Sequence, residues 1–203
     1  MSAPPTADTL PDIDHFAFDE ANRARAERII ARYPAGRQAS AVLPLLDLAQ
    51  RQCGGWLPRR AMDYVADHLE MPRIRVYEVA TFYSMFNLRP VGKNFIQVCR
   101  TTPCWLRGSD ELTEMCRNKL GVGPGEVTDD GLFTYVEVEC LGACVNAPMV
   151  QINDNYFEDL DAARMGGLID DLRAGKTPEP GPQVDRQAAA PVTGLTTLTG
   201  KEE

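Results

Sequence analysis

The stretch Glu139-Cys140-Leu141-Gly142-Ala143-Cys144-Val145-Asn146-Ala147-Pro148-Met149-Val150-Gln151-Ile152 decides the reading of this chain, together with Asn94-Phe95-Ile96-Gln97-Val98-Cys99-Arg100-Thr101-Thr102-Pro103-Cys104 upstream of it. Cys99 and Cys104 form a C-x4-C pair at the end of one β-branched and aromatic run, and Cys140 and Cys144 form a C-x3-C pair at the end of another. Along the second run Val136, Val138 and Cys140 share one face while Glu137 and Glu139 point the other way, the period-two signature of a half-buried strand. Two strand ends thus each deliver two thiols, and the loops beyond them have the small or rigid residues needed to wrap a compact group: Gly142 in one, Pro103 and Gly108 in the other.

Four thiolates suit a 2Fe-2S cluster, because two tetrahedral irons bridged by two sulfides each need two outer ligands. The candidate ligands are Cys99, Cys104, Cys140 and Cys144. A zinc site with four thiolates is the alternative; it would stabilise the fold and carry no electrons. Zinc ribbons and knuckles usually use two short C-x2-C pairs, so the spacing favours iron and sulfide. A Rieske centre needs two histidines, and the only histidines, His15 and His68, both precede the cysteine region. The C-x2-C motif of dithiol exchange is absent. Cys116 shares a helix face with Leu112 and Met115 and reads as a buried thiol packing as a small hydrophobe; Cys53 beside Gly54-Gly55 reads as equally inert, and His68 as packed or at the surface.

Around the cysteine loops, strand signals cover Asn94 to Cys99, Leu132 to Glu139, Met149 to Ile152 and Tyr156-Phe157. Helical spacing covers Asp110 to Leu120 and the stripe Met165, Leu168, Ile169, Leu172, with Gly175 as a C-cap. The order strand, helix, strands, helix suits a small mixed sheet with helices packed on it, as in thioredoxin-like domains. Upstream, Glu20 to Arg32 ends at Pro34, and stripes at Val42-Leu45-Leu46-Ala49, Met62-Val65-Ala66-Leu69 and Val76-Val79-Ala80-Tyr83 predict three further helices in an antiparallel bundle. The expected domains are an extended arm over 1–18, the bundle over 19–88, the cysteine domain over 89–176 and an extended Pro-containing tail over 177–203. No apolar stretch nears the roughly 20 residues that span a bilayer, so direct membrane insertion is not expected. The net charge of -8 argues against nucleic acid, whose phosphates call for clustered Lys and Arg. Residues 1–20 carry five acids and no Lys or Arg, unlike a transit or secretory segment, so the chain is expected to stay where it is made.

Taken together, ECLGACVNAPMVQINDNY at 139–156, CRTTPC at 99–104 and ATFYSMFNLRPVGKN at 80–94 closely resemble the small 2Fe-2S subunit of respiratory complex I, the E-type subunit of NADH-quinone oxidoreductase. The likeness runs from about residue 16 to 180 and continues weakly at 194–199. It implies an α+β fold: an N-terminal helical bundle followed by a thioredoxin-like 2Fe-2S ferredoxin domain. It also matches the family's ligand positions to Cys99, Cys104, Cys140 and Cys144 one for one. The implied work is electron transfer, as a subunit of the oxidoreductase with no NADH or flavin site of its own. FMN and NAD would be bound by the partner NADH-binding subunit, with other peripheral-arm subunits as further partners. The implied location is the cytoplasmic side of the inner membrane, peripheral through the complex. Gly121-Val-Gly-Pro-Gly125 has the wrong spacing for a dinucleotide fingerprint, in keeping with that division of labour. Related subunits serve NAD-linked hydrogenases and formate dehydrogenases, which is the alternative host. An all-thiolate site is expected at a potential on the order of -400 mV. Arg100 and Arg107 would favour its reduced form and Asp110 and Glu111 oppose it, unless all four are ordinary solvated surface.

Overall fold

Helix signals near the N-terminus are realised as four helices: α1 (Glu20–Ile30), α2 (Val42–Gln52), α3 (Arg59–His68) and α4 (Arg73–Phe82). The computed structural model describes residues 11–194, 197 and 198; residues 1–10 of the expected arm, and 195–196 and 199–203 of the expected tail, lie outside the described residues. The chain divides into two compact units between Val91 and Gly92. In the first, the Asp19 carboxylate caps α1 by accepting from the Asn22 amide at 2.7 Å, and Pro58 and Pro72 occupy the N-cap positions of α3 and α4. Of the predicted stripes, Val42, Leu45, Leu46, Ala49, Met62, Val65, Ala66, Leu69, Val76 and Ala80 are buried together and Val79 packs against them, whereas Tyr83 lies exposed beyond the end of α4, where the chain has turned extended.

Residues 11–18 run extended, but they are not a free arm. Phe16 and Phe18 are buried and meet the Tyr64 ring edge-on at 5.4 and 5.2 Å. Tyr64 in turn stacks on His68, which accounts for that histidine by packing. Gln52 fastens the segment by donating to the Ala17 carbonyl at 2.8 Å and accepting from the Asp19 amide at 3.2 Å. The expected arm is thus extended here, but Phe16 and Phe18 bury this part of it in the core of the helical unit.

The second unit is a five-stranded mixed sheet in the order β2-β1-β3-β4-β5, from β1 (Asn94–Cys99), β2 (Phe133–Val138), β3 (Val150–Ile152), β4 (Asn155–Glu158) and β5 (Gly181–Pro182). β1 pairs with β2 in parallel, and β3 and β4 continue antiparallel. The short α5 (Thr102–Leu106) and α6 (Ser109–Leu120) form the crossover from β1, and α7 (Ala162–Arg173) follows β4. Ile96, Val98, Phe133, Tyr135, Val150 and Ile152 form one core with Leu112 and Cys116 of α6 and Met165 and Ile169 of α7. Gly92 enters β1 so close to β2 that a Cβ would lie 2.3 Å from the Phe133 carbonyl carbon, so only glycine fits there. The expected tail contributes the fifth strand: β5 runs parallel to β4, pairing Phe157 with Gly181 and Glu158 with Pro182.

Candidate metal centre

Parallel register from Asn94↔Phe133 to Cys99↔Val138 brings the C-terminal ends of β1 and β2 to one edge of the sheet. β3 begins at the same edge, where the Cys99 amide donates to the Met149 carbonyl at 3.4 Å. Cys99 closes β1; the chain then turns into α5, with Pro103 in its first turn where the missing N–H costs nothing, and Cys104 follows. After β2 the chain passes Cys140, curls at Gly142 (φ 87) and enters a short 3-10 turn, Cys144–Asn146, before the cis Ala147–Pro148 bond. Topology thus gathers the two predicted cysteine pairs, while Cys53 belongs to the other unit and Cys116 is fully buried in the sheet core.

The two pairs differ in setting. Cys99 and Cys104 are buried as free thiols hydrogen-bonded to each other, over a small apolar floor that includes Ala147 and Met149. Cys140 and Cys144 are exposed, and their sulfurs lie 3.6 Å apart. A tetrahedral ion with metal–sulfur bonds of about 2.3 Å needs sulfurs roughly 3.8 Å apart, so this pair is already spaced for one metal. Among the described residues no three His, Cys, Asp or Glu side chains are gathered as ligands of a single ion. The donors come as two pairs, which is the division a two-iron group requires.

Backbone amides surround the sulfurs. Burial pushes the Cys99 thiol upward, but bonds from the Leu141 and Thr101 backbone and from the Cys104 thiol outweigh it and leave Cys99 below the ordinary thiol range. Cys104 is driven up to about 12, first by burial and then by its bond to Cys99, with the Met149 amide opposing. The Cys144 thiol is raised by its contact with Cys140. The Gly142 amide donates to the Cys140 sulfur at 3.4 Å. Leu141, Thr101, Met149 and Gly142 are therefore the amides aimed at sulfur, the donors that tune a thiolate cluster. Of the other two cysteines, burial alone raises the Cys53 thiol to about 11 and the Cys116 thiol to about 12.

Other groups hold the loops. The Tyr156 hydroxyl donates to the Leu141 carbonyl at 2.8 Å, fixing the Cys140 loop from β4. Asn146 donates from its side-chain amide to Asp159 at 3.0 Å and to the Ala188 carbonyl at 2.9 Å. Nothing in the local sequence marked Asn146, Asp159 or Arg186, because their contacts join positions far apart in the chain. Of the charges near the first pair, Arg100 is paired with Glu137 at 2.8 Å and Asp110 accepts from the Trp105 indole at 3.0 Å. Trp105, Leu106 and Val145, next to the ligand positions in sequence, are exposed.

A sheet of this topology ending in two cysteine pairs defines a class of ferredoxin, and the family model described as thioredoxin-like [2Fe-2S] ferredoxin matches residues 26–173. Among curated relatives, the E-type subunit of NADH-quinone oxidoreductase from Rickettsia bellii (strain RML369-C) is 63% identical over 161 residues, covering 79% of this chain and 96% of the relative. NADH dehydrogenase [ubiquinone] flavoprotein 2, mitochondrial, of Dictyostelium discoideum is 52% identical over 183 residues, 90% of this chain and 74% of the relative. The chain belongs to the thioredoxin-like [2Fe-2S] ferredoxin family, in the branch formed by the E-type subunits of NADH-quinone oxidoreductase. Among solved structures, an NAD+-reducing [NiFe]-hydrogenase in the air-oxidized state is similar at a TM-score of 0.56 and 26% identity, over 64% of this chain and 23% of that one. The H2-reduced form gives 0.58 and 24%, over 66% of this chain and 22% of that one, a likeness of fold. The chain thus spans under a quarter of the hydrogenase chains it matches. No helix among the described residues is long and apolar enough to cross a membrane.

Proposed function

We propose that this chain is an electron-transfer subunit of an NADH-quinone oxidoreductase, with one 2Fe-2S cluster held by Cys99, Cys104, Cys140 and Cys144 in the domain over 89–176. The observation that carries the reading is the convergence of four thiols in two pairs at one sheet edge, with backbone amides turned toward the sulfurs. The fit to the cofactor rests on that donor set: thiols alone, with one pair already at metal-bridging separation. When bound, a 2Fe-2S cluster supplies one-electron acceptance and donation. The chain's own part is to hold the ligands and to stabilise negative charge. Hydrogen bonds lower the Cys99 thiol against the opposing effect of burial, which favours the thiolate form that binds metal, and the amides of Leu141, Thr101, Met149 and Gly142 donate to sulfur. Burial of Cys99 and Cys104 keeps water from one side of the site, while Cys140 and Cys144 face outward.

NADH gives up its two electrons together as hydride, so a flavin on the NADH-binding partner stands between it and a one-electron carrier. FMN and NAD belong to that partner in this reading. The chain sits at the cytoplasmic side of the inner membrane through its partners. The likeness to NAD+-reducing hydrogenase favours a second reading, the equivalent diaphorase subunit of such an enzyme; the 63% identity to the quinone-reductase relative weighs for the first.

The test is anaerobic expression followed by iron, acid-labile sulfide and zinc analysis and EPR after dithionite reduction. About two irons and two sulfides per chain with a spin-half signal are expected. Zinc without sulfide would make the chain a structural module instead. Isolation of the native complex from its source cells then separates the two hosts by whether quinone reductase or hydrogenase activity accompanies the chain.

A further inference from the structure

The segment beyond β5 turns back onto the cysteine loops. The Gln183 amide donates to the Glu158 carbonyl at 2.9 Å, and the Arg186 side chain, only 5% exposed, donates from Nη1 to Asp159 Oδ1 at 2.9 Å. Asp159 Oδ2 accepts from Asn146 Nδ2, and the Asp159 amide returns a bond to the Asn146 carbonyl at 2.8 Å. Asn146 Nδ2 also reaches the Ala188 carbonyl. Asn146 is 3% exposed and ends the turn that begins with Cys144.

Two features suggest that this network serves geometry rather than stability. Buried ion pairs are weak stabilisers because desolvation offsets their attraction, and here the Arg186 Nε is buried with no hydrogen-bond partner among the described residues. Asp159 (φ 53) and Ala188 (φ 46) also adopt the left-handed conformation that favours glycine, and both bond to Asn146. Such strain persists only where the surroundings over-determine it, and it concentrates at functional sites. The other three cysteines have different supports: Cys99 and Cys104 are fixed by the core, and the Cys140 loop by Gly142 and Tyr156. Cys144 is exposed, and its turn ends in Asn146.

We propose that Arg186, Asp159 and Asn146 are positioning residues for the metal centre: through them the C-terminal segment holds Cys144 at the distance from Cys140 that a shared metal requires. The proposal rests on the ligand reading above. The experiment uses the full chain loaded anaerobically, as wild type and as Asn146→Ala, Asn146→Ser, Arg186→Ala and Arg186→Lys. Iron and sulfide per chain, the rate of iron loss to EDTA, the EPR g-values of the dithionite-reduced protein and the far-UV circular dichroism are measured. Both alanine variants should lose iron about tenfold faster and show altered g-values with unchanged circular dichroism, the size of effect expected from removing an outer-shell support. Arg186→Lys, which keeps the charge beside Asp159, should recover most of the wild-type rate. Asn146→Ser keeps a polar group too short to reach both Asp159 and Ala188; it should behave as the alanine variants do and decides the matter if they fail to fold. Wild-type iron loss and g-values in the folded Asn146 variants would overturn the positioning role alone. A wild-type chain without iron and sulfide would overturn the ligand reading, and this proposal with it.

Discussion

Cys116 and Cys140 lie in the same unit, and their surroundings set opposite chemistries. Cys116 is fully buried with Leu112 in the sheet core and its thiol is raised to about 12, so it stays protonated and out of reach. Cys140 lies exposed with its sulfur 3.6 Å from Cys144. Cys140→Ser should therefore cut bound iron by at least about tenfold, since even outer-shell losses cost that much, while Cys116→Ala should retain full iron and sulfide. Equal iron loss in both variants, read by metal analysis, would sink the assignment. In metal-free chain at about pH 8, iodoacetamide should label Cys140 and Cys144 well before Cys116, which peptide mass spectrometry resolves. At this scale the placement of the two cysteine pairs at strand ends was legible because their spacing is a local property of the sequence. Asn146, Asp159 and Arg186 were not, because a bond between Asn146 and Ala188 leaves no periodic trace.

Elements were legible where a period repeats often enough to be counted. The stripes of α2, α3 and α6, and the alternation in β1 and β2, emerge within a residue or two of their expected bounds. α5 and β5 escaped: one is five residues beginning beside a proline, the other a Gly-Pro pair whose strand character comes only from pairing with Phe157 and Glu158. The extended stretch before α1 was read by its polarity, whereas Phe16 and Phe18 decide its place in the core. The close approach of Gly92 to β2 gives a test at the same scale. Gly92→Ala must push β1 and β2 apart or bend the chain between them, and should lower stability by about 3 kcal/mol, the upper end of overpacking costs. Chemical denaturation monitored in the sheet unit measures it, and a loss below about 0.5 kcal/mol, ordinary for a surface change, would show that the contact yields freely.

For the molecule as a whole, the unit up to Val91 has its own apolar core among the helices, and the unit from Gly92 has a core under the sheet with a small apolar floor beneath Cys99 and Cys104. A ligand bound to the native state stabilises the cooperative unit that holds it. Loading the metal centre should then slow amide exchange across 92–194, including Gln183 and Arg186, and leave 11–91 close to its metal-free rate. Hydrogen-exchange mass spectrometry of loaded and metal-free protein would detect the opposite result, a uniform slowing of both units. The return of the C-terminal segment to Asn146 also bears on biosynthesis. Ribosomes make Arg186 and Ala188 after all four cysteines, so a nascent chain can present every candidate ligand before the Cys144 turn has its last fastening. On the proposed ligand reading, a cluster would meet a finished receptacle only once that later stretch has been translated and has docked, so its insertion would belong to the end of the polypeptide's synthesis rather than to the emergence of its cysteines.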